Sequence, residues 1–228
     1  MIPPGGIRDK AQDYAGTMRL TKQEHACFVI TEAGQMIVVD PGSFTLPLVD
    51  PEGVVAIVIT HEHGDHWTAE HLQRILERNP DARIFGPAGV AAAASDFSVE
   101  TVQDGDSRVV GAFTLRFFGK KHAVIHESIP VVDNVGVLVN DRVYYAGDSF
   151  TVPPVDVDTL AVPIGAPWLK VSEAMDYVAA VKPKRSFPTH EMVLSVIGKN
   201  MVNARIEHVT TLGGGEFFAL EPGDSLDV

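Results

Sequence analysis

The sequence predicts an α/β (α+β) fold of two β-sheets packed face to face with helices outside. Three observations carry this. Short apolar runs rich in β-branched residues recur along the chain, residues 54–60 being the clearest, and such runs suit buried strands. Each half of the chain has strands followed by helical stretches, which points to two strand layers with helices packed outside. With 228 residues, 45% of them hydrophobic, the chain can bury one sizeable core. The expected organisation is a poorly ordered arm over residues 1–17 and a single domain over residues 18–228.

Residues 1–17 carry Pro, Gly and charge without periodicity, hence the arm. Residues 19–31 and 35–39 read as two strands joined by Glu32-Ala33-Gly34, with glycine supplying the hairpin turn. Asp40-Pro41-Gly42 ends the second of these, and residues 54–60 form the next strand. Thr68 can cap a helix with Leu72, Ile75 and Leu76 on one face, stopped by Asn79-Pro80. A short strand over 82–85 precedes a helix with Pro87 near its first turn and an alanine-rich body through Ala94. Residues 97–102, 107–110 and 114–118 read as a meander, broken at Asp104-Gly105-Asp106 and Gly111. Residues 135–139 and 143–146 form a hairpin across Asn140-Asp141-Arg142. Then come a strand over 159–164, a helix capped by Ser172 through Val181, a strand over 184–187 running to His190, a helix around 196–210 and a last strand over 216–220. Gly213-Gly214-Gly215 is a turn, because it lacks the strand-before, helix-after setting of a phosphate loop.

The net charge of −12 disfavours a general nucleic-acid or anionic-membrane binder, since phosphate contacts need clustered Lys and Arg. A single cysteine, Cys27, excludes an internal disulfide, and its distance from any His-Asp grouping makes it a core residue. No apolar stretch is long enough to span a bilayer, and the first 17 residues lack the apolar segment of a secretion signal. The expectation is a cytoplasmic protein acting on a small molecule, with no nucleic acid or membrane as partner and a homo-oligomer left open.

Chemistry concentrates in His61-Glu62-His63-Gly64-Asp65-His66, three histidines and two carboxylates in six residues directly after the strand over 54–60. His61 and His63 are two apart, so an extended backbone sends both imidazoles to one side. Gly64 lets the chain bend, and Asp65 and His66 can then turn toward a neighbouring point. One loop can thus serve two metal ions. A solvated polar loop is the bland alternative, and three histidines at this spacing argue against it. Further along, His122, His126, Asp148 and His190 each follow a run readable as a strand or lie in the turn after one. Ligands from separate strand ends can converge on one edge of a sandwich. Imidazole and carboxylate donors without cysteine suit zinc foremost, with manganese or iron(II) as alternatives.

The loop resembles the H-x-H-x-D-H signature of the metallo-β-lactamase superfamily. Asp40-Pro41-Gly42 is similar to the acidic turn that family carries before it, Gly147-Asp148-Ser149 to its bridging-aspartate motif, and Pro188-Thr189-His190 to its last histidine. The resemblance implies a four-layer αβ/βα sandwich with metals at one edge. It implies that His61, His63 and a third histidine hold one ion, that Asp65, His66 and His190 hold a second, and that Asp148 bridges both. The third histidine is His122 or His126; His122 is preferred, because it comes soonest after the strand ending at residue 118. His126 would then line the pocket. Asp40 is expected to orient a ligand histidine, and His25, read as lying in the first strand, to support the site rather than bind metal.

The implied activity is hydrolysis with two divalent transition-metal ions per chain and a metal-bound hydroxide as nucleophile, Asp65 and Asp148 being the catalytic carboxylates. Lys120, Lys121 and Lys170 are candidates for holding an anionic substrate group, and Trp168 for an apolar wall; solvated lysines and a buried tryptophan are the plain alternative. The motif order and small size look most like the branch that includes the L-ascorbate-6-phosphate lactonases, with a small ester, lactone or phosphorylated metabolite as substrate. A phosphodiesterase or nuclease of the same superfamily is the second reading, and a metal-binding protein without catalysis the third.

Overall fold

The structure, a computed structural model, describes residues 17–228, so the arm expected over residues 1–17 lies outside the described residues except for Thr17. The first half runs β1 (Arg19–Lys22), β2 (Phe28–Glu32), β3 (Gln35–Val39), β4 (Val54–Val58), α1 (Ala69–Arg78), β5 (Arg83–Gly86), α2 (Ala88–Ala93) and β6 (Val99–Thr101). The second runs β7 (Ser107–Val110), β8 (Phe113–Phe118), β9 (Gly136–Val139), β10 (Val143–Tyr145), β11 (Thr159–Pro163), α3 (Val171–Val181), β12 (Arg185–Thr189), α4 (Val196–Leu212), β13 (Glu216–Phe217) and β14 (Ser225–Asp227). Two seven-stranded sheets result, ordered β14-β1-β2-β3-β4-β5-β6 and β13-β12-β11-β10-β9-β8-β7.

Strand alternation builds the layers. On β4, Ala56 and Val58 face the second sheet and pack with Phe28, Phe117 and Tyr145, while Ile57 faces the opposite way, toward Leu72, Ile75 and Val90 of α1 and α2. The second sheet repeats the pattern outward: Leu138, Leu160 and Val162 lie under Ala174 and Val178 of α3 and Ile206 of α4. Each large apolar side chain so buried contributes roughly 1.5–3 kcal/mol. The arrangement is the four-layer sandwich expected.

Local signals set several element ends. The Thr68 side chain accepts from the His71 N–H at 3.2 Å and starts α1. At the other end Asn79 donates to the Ile75 and Pro51 carbonyls at 2.9 and 2.7 Å. Ala33 and Gly34, both at positive φ, turn the β2–β3 hairpin.

Some expected boundaries need correction. Residues 19–31 are two strands with a turn between them, and His25 sits in that turn at φ 56° instead of in a strand. The expected meander is split: β6 pairs in parallel with β5 in the first sheet, whereas β7 and β8 belong to the second. The turn at Asp104-Gly105-Asp106 is therefore the crossing between sheets. Lys170, not Ser172, occupies the N-cap of α3, and no side chain caps it. The last expected strand shrinks to Glu216–Phe217, and β14 pairs with β1 to edge the first sheet.

Strands β3 to β6 run parallel to one another, as do β10 to β13. The carboxyl ends of β3, β4, β8, β10 and β12 carry Asp40, His61, His122, Asp148 and His190, and these side chains converge at one edge of the sandwich. Ends of parallel strands are where open α/β sheets place their ligands. Asn134 ties the two sheets there: it forms a bridge to His61, donates to the Ala146 carbonyl at 2.8 Å and accepts from the Asp148 N–H at 3.0 Å.

Candidate metal centre

The turn after β3 prepares the floor of the site. Asp40, at φ 45°, is fully buried and accepts three hydrogen bonds: from the Thr60 N–H at 2.8 Å, the Thr60 hydroxyl at 2.7 Å and His66 Nδ1 at 2.7 Å. Two residues on, a side chain at Gly42 would overlap the Asp65 carbonyl, so glycine is what lets the loop over 61–66 close against this turn. Gly147, at φ 65°, plays the same part for Asp148, because a Cβ there would collide with Asn134 and Thr60.

Hydrogen bonds assign the imidazole tautomers. His66 Nδ1 donates to Asp40, His190 Nδ1 to the Gly165 carbonyl at 2.6 Å, and His122 Nδ1 to the Ala123 carbonyl at 2.5 Å. The Thr60 hydroxyl spends its one proton on Asp40, so toward His61 Nδ1, 3.1 Å away, it accepts. Four histidines thus aim an Nε2 lone pair inward. Nε2 of His66 and Nε2 of His190 face each other at 3.2 Å, and His61 Nε2 lies 3.1 Å from His63 Nδ1. Asp148, 3% exposed, stands between: its Oδ1 is 3.3 Å from His66 Nε2, and its Oδ2 is 3.3 Å from His122 Nε2 and 3.1 Å from His190 Nε2. Asp65 Oδ2 lies 3.5 Å from His190 Nε2 and 3.8 Å from His66 Nε2.

The charge balance asks for cations. Burial pushes His61 well below the usual imidazole range and lowers His63, keeping both neutral. Burial opposes charge on His66 and His190 too, but Asp148, with Asp40 for the first and Asp65 for the second, outweighs it and raises both, His190 up to about 10. Burial would raise Asp148 and Asp65; the neighbouring imidazoles instead hold both far below the usual carboxylate range. This negative potential is met either by protons on His66 and His190 or by divalent cations.

The donors fit such ions. Atoms of His61, His63 and His122 lie within 4.8 Å of one another, as do those of His25, Asp65, His66 and His190, and those of His61, His66 and Asp148. Ligands roughly 2.0–2.1 Å from a shared ion lie about 3.3 Å apart, the spacing found between several of these atoms. Two buried atoms, His122 Nε2 and Asp148 Oδ1, have no hydrogen-bond partner, an arrangement explained when a ligand or ion completes them.

Of the residues expected from sequence, the structure brings together His61, His63, Asp65, His66, His122, Asp148 and His190, with Asp40 beneath them. His126 is exposed and bonded to Ser128 Oγ at 2.8 Å, outside all three donor groups. Trp168 is more than a wall: its indole N–H donates to Asp148 Oδ2 at 2.9 Å. Lys120, Lys121 and Lys170 are exposed and lie within ion-pair distance of Asp104, Asp133 and Glu173. His25 is buried against the site, its ring 3.8 Å from that of His190 and its Nε2 3.2 Å from Asp65 Oδ2. Cys27 is buried and free, its thiol pushed up by burial. Sequence reasoning missed Asn134, Lys22 and Glu191; the one available signal is that strand alternation puts Lys22 on the same face as Leu20.

Comparison with known proteins agrees with this geometry. A model of the beta-lactamase superfamily domain matches residues 19–190. Protein Rv0786c of Mycobacterium tuberculosis is 38% identical over 200 residues, covering 85% of this chain and 93% of that protein. A UPF0173 metal-dependent hydrolase of Aeropyrum pernix is 31% identical over 199 residues, covering 75% of this chain and 81% of that protein. Among solved structures, Igni18, a metallo hydrolase from Ignicoccus hospitalis, superposes with a TM-score of 0.71 at 17% identity, covering 93% of this chain and 98% of that one. At that identity the likeness concerns the fold.

Proposed function

The chain belongs to the beta-lactamase superfamily domain family, and from that premise we propose that it is a two-metal hydrolase of a small ester, lactone or phosphorylated metabolite. At the coarser level it is a metal-dependent hydrolase, the activity named for its Aeropyrum pernix and Methanocaldococcus jannaschii relatives. The observation that carries the two-metal reading is the pair of donor groups with Asp148 between them. Two divalent ions held there would supply Lewis acidity and an activated water near neutral pH.

The chain's own residues do the rest. His61, His63 and His122 would hold the first ion and Asp65, His66 and His190 the second; Asp148 stands between them, its Oδ2 facing His122 and His190 and its Oδ1 facing His66. Asp40, Gly165 and Ala123 keep the imidazoles in the tautomer that presents Nε2, and the Trp168 N–H restrains Asp148 Oδ2. Asp65, 26% exposed at its side chain, is the one carboxylate of the set that meets solvent, and so can take up or return a proton during turnover. Zinc suits the first position's three imidazoles, and manganese or iron suits the more oxygen-rich second.

A small substrate is supported by the surroundings. The three lysines near this edge are exposed and each has an acid within ion-pair distance, too little free positive charge to track a polymer's phosphates. Phe44, whose ring lies 5.0 Å from that of His25, is 45% exposed, and Met192, just past His190, is 50% exposed; together they offer apolar contact for a short chain or ring. This direction is the one expected from the motif order and small size, which resemble the L-ascorbate-6-phosphate lactonase branch. The test is a side-by-side screen of lactones, thioesters, phosphodiesters and short RNA on metal-loaded protein, with Asp148→Ala as control. Lactone or ester turnover that Asp148→Ala abolishes supports the reading; turnover of RNA alone sinks it.

A further inference from the structure

Lys22 is the only lysine or arginine among the described residues that is buried, at 0% exposure, and its partner Glu191 is 6% exposed. Lys22 Nζ donates to Glu191 Oε1 at 2.9 Å, to the His25 carbonyl at 3.0 Å and to the Gln23 carbonyl at 2.5 Å. Glu191 Oε1 also accepts from the His25 N–H at 3.2 Å, and the His25 carbonyl accepts from the His190 N–H at 2.9 Å. Both backbone groups of His25 are therefore held by this pair and its neighbour in the chain. His25 (φ 56°) and His190 (φ 62°) are both in the left-handed region, which L-residues disfavour. A buried ion pair seldom stabilises a fold more than well-packed apolar residues would. Buried charge and backbone strain spent together on one turn point to function.

What the turn presents is the His25 imidazole. It differs from the other histidines: His66, His122 and His190 each have Nδ1 pinned by an acceptor, whereas His25 Nδ1 is buried with no partner. A buried N–H without an acceptor is rarer than a lone pair without a donor, so the proton belongs on Nε2, where Asp65 Oδ2 accepts it at 3.2 Å. His25 thus aims the Asp65 carboxylate.

We propose that the buried Lys22–Glu191 ion pair is the positioning device of the metal position built on Asp65, His66 and His190. It fixes the His25 and His190 turns so that His25 orients Asp65 and His190 keeps Nε2 on the ion. The inference rests on the two-metal reading above. Without the pair, the His25 N–H loses its partner and the carbonyl keeps only the His190 N–H, the left-handed turn relaxes, and the ring leaves Asp65. The position formed by His61, His63 and His122 does not depend on this turn.

Cobalt(II) titration of the full chain, read by visible absorption and by competition with a chromophoric chelator, tests this alongside the thermal midpoint of the metal-free protein. Lys22→Met/Glu191→Leu replaces the pair by apolar residues of similar size. The midpoint should stay near that of the wild type, the relief of buried charge offsetting the unpaired His25 N–H, while one binding step weakens by about tenfold or more, the loss typical of removing support from a metal ligand. Glu191→Gln keeps an oxygen for the His25 N–H and for Lys22, so the midpoint should fall while both binding steps persist. His25→Gly is unstrained at this φ and should lose the same single step as the double variant. A purely structural pair predicts the reverse, with affinity following stability through the series. Unchanged affinities in the double variant, equal weakening of both steps, or a double variant that does not fold would each overturn the proposal. A wild-type chain that binds only one cobalt overturns the two-metal reading and this proposal with it.

Discussion

Asp40→Asn is the sharpest single test of how the site is wired. Asp40 accepts from two proton donors at Oδ2, His66 Nδ1 and the Thr60 hydroxyl, each at 2.7 Å, and from the Thr60 N–H at Oδ1. An amide has one oxygen and one NH2 group, so either rotamer sets a donor against a donor. If the NH2 group faces His66, the ring must accept at Nδ1 and carry its proton on Nε2, which removes the lone pair facing Asp148. Loss of such an outer partner typically costs about 10–100-fold in metal affinity, or ~1.4–2.7 kcal/mol. If the NH2 group faces the Thr60 N–H, the cost falls on folding instead, about 1–3 kcal/mol for the unsatisfied buried donor. In a chain of this size that lowers the thermal midpoint by roughly 2–4 °C per kcal/mol. Chelator competition, calorimetric melting and nitrogen NMR of the His66 tautomer together distinguish the two. Wild-type affinity, melting and tautomer in Asp40→Asn would refute the argument.

The other predictions use the same measurements. His122→Ala should lose an ion that His126→Ala retains; the reverse pattern would transfer the ligand role to His126. Trp168→Phe keeps the ring but removes a hydrogen bond to a carboxylate, worth ~1.5–3 kcal/mol, so metal affinity should drop by about ten- to hundredfold; no change would make the indole N–H idle. In the metal-free chain His190 is raised to about 10 from an unfolded value near 6.5. Its contribution to stability is therefore full below pH ~6.5 and lost as pH climbs through ~10, whereas those of the depressed Asp65 and Asp148 are present above pH ~4 and lost in acid. Metal-free protein should melt at lower temperature from pH 6.5 toward 10, and metal-loaded protein, whose His190 needs no proton, should lack that decline. A flat alkaline profile without metal would contradict the sign.

How far the sequence was legible depended on how local each signal is. The strand over 54–60 and the loop after it announce themselves, because β-branched residues and a two-residue histidine spacing act within one segment. The capped helix α1 was equally plain from Thr68 and Asn79. Its partners were harder. Nothing in residues 97–118 says that β6 and β7 belong to different sheets, since both are short and half-polar, and the choice is made by packing against β5 and β8. The left-handed turn at His25 carries no glycine to mark it, so residues 19–31 looked like one strand. The ion pair that holds it joins positions 169 residues apart in the chain, and an isolated Lys and Glu read as surface charges. Trp168 was visible as a large residue beside a strand end, but the direction of its N–H is decided only when Asp148 is brought beneath it.

Everything proposed for the site turns on one carboxylate, Asp148, standing between two metal positions. Anomalous diffraction from crystals of the full chain loaded with zinc or manganese tests it most directly. Two peaks flanking Asp148 are expected, one against His61, His63 and His122 and the other against Asp65, His66 and His190. A single peak at full metal loading, or peaks that leave Asp148 without a metal neighbour, would contradict it.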